Sequence, residues 1–110
     1  EVYLLNINKV CGLLGLCQKA GKIVFGTEAS IEAINRNKVK LVLIATNASD
    51  RMKKNFYNNC KNKGINIYEV LSIQEMSRAI GQNNKAVICI KDINFSKAIT
   101  KIIDGGEVIG

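Results

Sequence analysis

The sequence predicts an α/β fold, a three-layer α-β-α sandwich around a small, mixed four-stranded sheet. Two patterns carry that prediction. Stretches with helical apolar spacing alternate with short, solidly apolar runs along the whole chain. The run Leu41-Val42-Leu43-Ile44-Ala45 lacks in-out alternation, as expected of a central strand covered by helices on both faces. Length agrees with this: 110 residues suit one domain, 1–110, with a core of its own.

Taken in order, residues 4–20 read as a helix with Ile7, Val10, Leu13, Leu14 and Cys17 on one face. Gly12 and Gly15 each cost such a helix about 1 kcal/mol against alanine, so they imply close approach of a neighbouring element. Gly21-Lys22-Ile23-Val24-Phe25-Gly26 reads as a short turn. The next helix spans 27–36, with Ile31 and Ile34 inward and Arg36 and Lys38 at the C-terminal end, where the dipole favours cations. After the strand Leu41–Ala45, Ser49 is placed to cap a helix reaching Lys63. Met52, Phe56 and Cys60 form its buried stripe, and Lys53, Lys54, Lys61 and Lys63 its basic solvent face. Gly64 stops it, and Ile65–Tyr68 is a short strand. Ser72 and Glu75 form a capping box, with Leu71 and Met76 as hydrophobic staple, on a helix that stops at Gly81. The polar loop 82–85, a buried strand Ala86–Ile90 and a last helix through Phe95, Ala98, Ile99, Ile102 and Ile103 follow. Gly105-Gly106 ends that helix and leaves a loose tail.

Lys and Arg outnumber Asp and Glu 16 to 9, for a formal charge of +7 and a pI near 9.4. On a small domain this favours a polyanionic partner, nucleic acid ahead of an acidic membrane surface; a well-charged soluble surface is the plain alternative. No apolar run approaches a membrane span and no signal-like segment opens the sequence, so a cytoplasmic location is expected. Cys11, Cys17, Cys60 and Cys89 form no Cys-x-x-Cys pair and histidine is absent. They read as small core hydrophobes of a reducing compartment, and no metal site is expected. The His-dependent triads, the dinucleotide-binding glycine fingerprint and the P-loop pattern are missing, and the acids are scattered. Neither catalysis nor a cofactor is expected.

Binding is better supported. The loops Gly21–Glu28, Thr46–Asp50 and Gly81–Ala86 should gather at one end of the sheet, where α/β proteins usually hold ligands. They offer Lys22, Gly26, Thr27 and Glu28, then Asn47 and Ser49, then Gln82, Asn83, Asn84 and Lys85. Amides of this kind pair with base edges, while lysines and bare helix N–H groups hold phosphates. The same residues also suit ordinary solvated loops, with Gly21 and Gly26 serving only tight turns.

Gly15-Leu-Cys-Gln-Lys-Ala-Gly-Lys-Ile-Val-Phe-Gly26, the helix from Thr27 and Lys40-Leu-Val-Leu-Ile-Ala45 together resemble the L-seven-Ae/L-thirty-e ribosomal protein superfamily, and within it the small bacterial YlxQ-like branch. The likeness runs to about Lys91, through Gly64-Ile65 and Ile80-Gly81. It implies a rim that grips kink-turn RNA, a sharply bent internal loop, on or near the ribosome. In that family an Asn-Glu pair opens the second helix and a Lys follows one turn later. Here those positions hold Glu28, Ala29 and Glu32, while Gly26 matches. The resemblance therefore implies a non-enzymatic, monomeric, cytoplasmic RNA-binding protein. Its partners would be ribosomal or other structured RNA, with ribosomal or RNA-processing proteins beside it. Two other readings stand: a module that keeps the fold but binds a protein partner, and, more remotely, a substrate-binding accessory domain of an RNA-modifying enzyme.

Overall fold

The computed structural model describes residues 2–105, so the loose tail expected beyond Gly105 lies outside the described residues. Within it run α1 (Val2–Lys19), β1 (Ile23–Phe25), α2 (Thr27–Asn35), β2 (Leu41–Ile44), α3 (Asp50–Lys63), β3 (Asn66–Glu69), α4 (Ile73–Ala79), β4 (Val87–Ile90) and α5 (Ile93–Gly105). The four strands form one mixed sheet in the order β1-β4-β2-β3, parallel only between β2 and β3. Helices α2 and α3 pack together on one face, and α1 packs with α4 and α5 on the other, giving the three expected layers.

The central strands β2 and β4 are buried at every position, which is why their sequences show no alternation. On α1, Ile7, Val10, Leu14 and Cys17 enter the core. On α3, Phe56 and Cys60 do so completely, at 0% exposure each. Helix ends follow local chemistry. Ser49 accepts from the Met52 N–H at 3.1 Å, and Gly64 closes α3 in the left-handed region with φ 67°. Ser72 and Glu75 make both bonds of the capping box, at 3.0 and 2.8 Å.

The fold corrects three expectations. The segment 21–26 is not only a turn: Ile23–Phe25 is a strand, antiparallel to β4, with Val24 opposite Cys89. A run this short has no period of its own, and pairing with β4 makes it a strand. Among the described residues a Cβ at Gly12 would meet nothing within 4 Å, and one at Gly15 would sit 3.5 Å from the Ala79 carbonyl oxygen, an ordinary contact, so neither glycine marks a close approach. Lys53 does not belong to a free basic face. Its ammonium donates to the Thr46 carbonyl at 2.7 Å and pairs with Glu69 at 3.2 Å.

Candidate nucleic-acid interface

Strand direction decides which loops meet. The C-terminal ends of β1, β2 and β3 and the N-terminal end of β4 lie together, because Phe25 pairs with Ile88, and Ile44 with both Val87 and Glu69. This rim gathers Gly26–Glu28, Thr46–Asp50 and the loop before β4, joined by Ala45 N–H to Ala86 O at 2.9 Å and Gly26 N–H to Val87 O at 3.4 Å. The turn between β3 and α4 also reaches it, through Thr46 N–H to Leu71 O at 2.8 Å. Lys22 does not. Its carbonyl accepts from the Lys91 N–H at 2.9 Å, at the opposite end of the sheet. Because 23–25 is extended, it carries Lys22 away from Gly26.

Each rim residue has a definable state. Gly26 opens α2 with φ 88° and ψ 158°, a conformation essentially reserved for glycine, and no side chain caps the helix. Thr27, Glu28 and Ala29 are exposed around that bare N-terminus, where N–H groups and the helix dipole favour an anion. Asn47 is committed internally: its Oδ1 accepts from the Ile73 N–H at 2.8 Å, and its amide donates to Gln74 at 3.4 Å. Ser49 spends its hydroxyl on the α3 cap. Lys85 is held at its backbone by the Ser77 hydroxyl, at 2.8 and 3.2 Å, and its ammonium lies 5.4 Å from the centre of the Phe25 ring.

Two grooves open here. One, of about 580 Å³, runs between the start of α2 and the flank of α3, lined by Thr27, Ser49, Arg51, Lys54, Asn55 and Asn58. The other, of about 570 Å³, lies between α4 and the loop of Gln82, Asn83 and Asn84, with Arg78 at its side. Sequence reasoning missed Arg51, Asn55 and Asn58, although Arg51, Lys54/Asn55 and Asn58 recur at helical spacing on one face. Glu28, Asp50 and Glu69 offset much of the charge of Arg51, Lys53, Lys54 and Lys85, so the rim is mixed rather than strongly basic. At the remaining family position, Glu32 is paired with Arg36 at 3.2 Å on the exposed side of α2.

Among the described residues, no group of three or more His, Cys, Asp or Glu side chains is placed to hold a metal ion. No helix among them is long and apolar enough to cross a membrane. All four cysteines are free thiols. Burial pushes Cys89 up to about 12, and Cys17 and Cys60 up to about 11.

A sheet of this order, layered by five helices and closed at one rim by a glycine-opened helix, defines a class. The chain belongs to the ribosomal protein L7Ae/L30e/S12e/Gadd45 family, whose model matches residues 8–100. It is 33% identical over 100 residues to a protein of Enterococcus faecium called RNA-binding protein YlxQ, covering 91% of this chain and 96% of that one. The protein of the same name from Bacillus subtilis (strain 168) is 29% identical over 92 residues, covering 84% and 92%. Among solved structures, a Bacillus halodurans protein of unknown function superposes with a TM-score of 0.84 at 32% identity, over 87% of this chain and 97% of that one. A 15.5 kD RNA binding protein of Giardia lamblia shares the fold, with a TM-score of 0.75 at 21% identity, over 100% and 92%.

Proposed function

We propose that this chain binds structured RNA through its rim. The rim would take kink-turn-like RNA and act without catalysis or cofactor, as a cytoplasmic monomer on or near the ribosome. The observation that carries the reading is the uncapped start of α2 at Gly26, set beside a groove bearing Arg51 and Lys54. Helix N–H groups there can hold one phosphate and the two cations others, while Asn55 and Asn58 present amides to bases. The names of the YlxQ relatives support RNA as the ligand. The test is affinity for a kink-turn RNA and for a straight RNA duplex, in the native protein and in Asn55→Ala/Asn58→Ala. The native protein should prefer the kink-turn and the variant should lose that preference. Equal affinity of the native protein for both RNAs would sink the kink-turn reading.

One observation favours a second reading, a fold-retaining module for a protein partner. Glu28, Ala29 and Glu32 occupy the positions that, by resemblance, carry the RNA-reading side chains, and two of them bear charge of the wrong sign. Capture of a protein partner that Glu28→Lys releases, with no RNA affinity, would establish it.

A further inference from the structure

We propose a second phosphate-binding surface, for the backbone of an RNA segment, at the end of the sheet opposite the rim. The strand register places it. Ile90 is opposite both Ile23 and Leu41, so one step outward Lys91 falls between Lys22 and Lys40. The backbone bonds Lys91 N–H to Lys22 O, 2.9 Å, and Lys40 N–H to Ile90 O, 2.8 Å, hold that register beyond the strand ends. Three lysines thus stand in one row across β1, β4 and β2, at strand spacings of about 4.8 Å. Like charges directly opposite one another are unfavourable in a sheet, and none of the three makes an ion pair among the described residues. Asp92, next in the chain, is engaged in capping α5, accepting from the Phe95 N–H at 2.8 Å.

A separate observation points to the Lys40 end of the row. A groove of about 360 Å³ beside the row is lined by Lys40, Ser96, Lys97 and Lys101, among others. Ser96 is only 4% exposed, and its hydroxyl has no hydrogen-bond partner among the described residues. A buried hydroxyl left unpaired costs stability, and a small outward shift of its side chain would let it meet a phosphate oxygen held by the lysines. Three lysines side by side, with no acid paired among them, suit a sequence-independent phosphate contact. Rim and row are separated by roughly 13 Å of strand, so one molecule can hold two segments of a folded RNA. This proposal rests on RNA being the ligand but not on the rim being its site.

The experiment compares the salt dependence of affinity, for a straight RNA duplex and for a kink-turn RNA. The proteins are native, Lys22→Gln/Lys40→Gln/Lys91→Gln, the matching Lys→Arg triple, and Asn55→Ala/Asn58→Ala. Each lost phosphate contact removes about 0.9 from the slope of log affinity against log salt. The glutamine triple should therefore lower the slope by about two to three on both RNAs and weaken low-salt binding by about tenfold or more. The arginine triple should retain both. An unchanged slope in the glutamine triple overturns the proposal, even if Asn55→Ala/Asn58→Ala abolishes kink-turn preference and so upholds the rim. A lowered slope with kink-turn preference intact in Asn55→Ala/Asn58→Ala upholds the row and overturns the rim. No affinity of the native protein for either RNA overturns both, and binding to anionic vesicles that the glutamine triple abolishes would assign the row to a membrane. Since the row opposes like charges, the glutamine triple should melt no lower than native protein. If it does, Lys22→Gln/Lys40→Gln, at two exposed positions, should still lower the slope by about two, and failure to do so overturns the proposal.

Discussion

The side-chain oxygen of Asn47 accepts the backbone N–H of Ile73 at 2.8 Å, tying the loop after β2 to the first turn of α4. An amide that read as a base-contacting group in the sequence is thus hydrogen-bonded within the protein, although exposed. Asn47→Ala should leave that N–H without its partner and cost about 1 kcal/mol of stability, measured as a shift in urea midpoint. RNA affinity should fall no further than the loosened loop requires. A large loss of affinity with an unchanged midpoint would restore Asn47 to the reading surface.

Two glycines should respond in opposite directions. At Gly26 a side chain has open space, but φ 88° with ψ 158° disfavours any L-residue. Gly26→Ala should therefore cost about 1–3 kcal/mol. Gly12 lies in α1 with no described residue near a Cβ, so Gly12→Ala should gain up to about 1 kcal/mol from helix propensity. Thermal or urea unfolding of both variants checks the contrast.

Restoring the family side chains tests the rim frame. Glu28→Asn, Ala29→Glu and Glu32→Lys together should strengthen kink-turn binding selectively, by about 2–5 kcal/mol if two base-edge contacts form. The gain has a small structural cost, because Glu32→Lys sets a second cation beside Arg36 where the carboxylate of Glu32 now pairs with it. Added charge alone should help a straight duplex equally, since phosphate contacts carry no sequence information. Equal gains for both RNAs would show that the frame does not fit the bend.

The buried thiols set an alkaline limit. Cys89 is held up to about 12 by burial, against an ordinary 9.0, so the folded protein keeps that proton when the unfolded chain has lost it. The stability this gives is complete below about pH 9 and is lost as pH rises toward 12, at about 1.4 kcal/mol per pH unit. Stability measured across pH 8–11 should fall less steeply in Cys89→Ala than in native protein. Identical slopes would mean that another group sets the alkaline limit.

The sequence by itself determined the local features. The caps at Ser49 and Ser72, the stop at Gly64 and the stripe of Phe56 and Cys60 follow from chemistry within a few residues of each other, and all appear in the structure. It also pointed to a β2 covered on both faces, because a solid apolar run too short for a helix and closed by a polar loop suits a buried strand. Tertiary structure alone decided the rest. Ile23–Phe25 becomes a strand only against β4, and that pairing takes Lys22 from the expected rim to a row with Lys91 and Lys40. It tied the Asn47 side chain to the start of α4 and brought Arg51 and Lys54 beside Thr27. The reason is common to all of these: register and helix packing join residues far apart in the chain, and side-chain spacing within one segment carries no record of its partner.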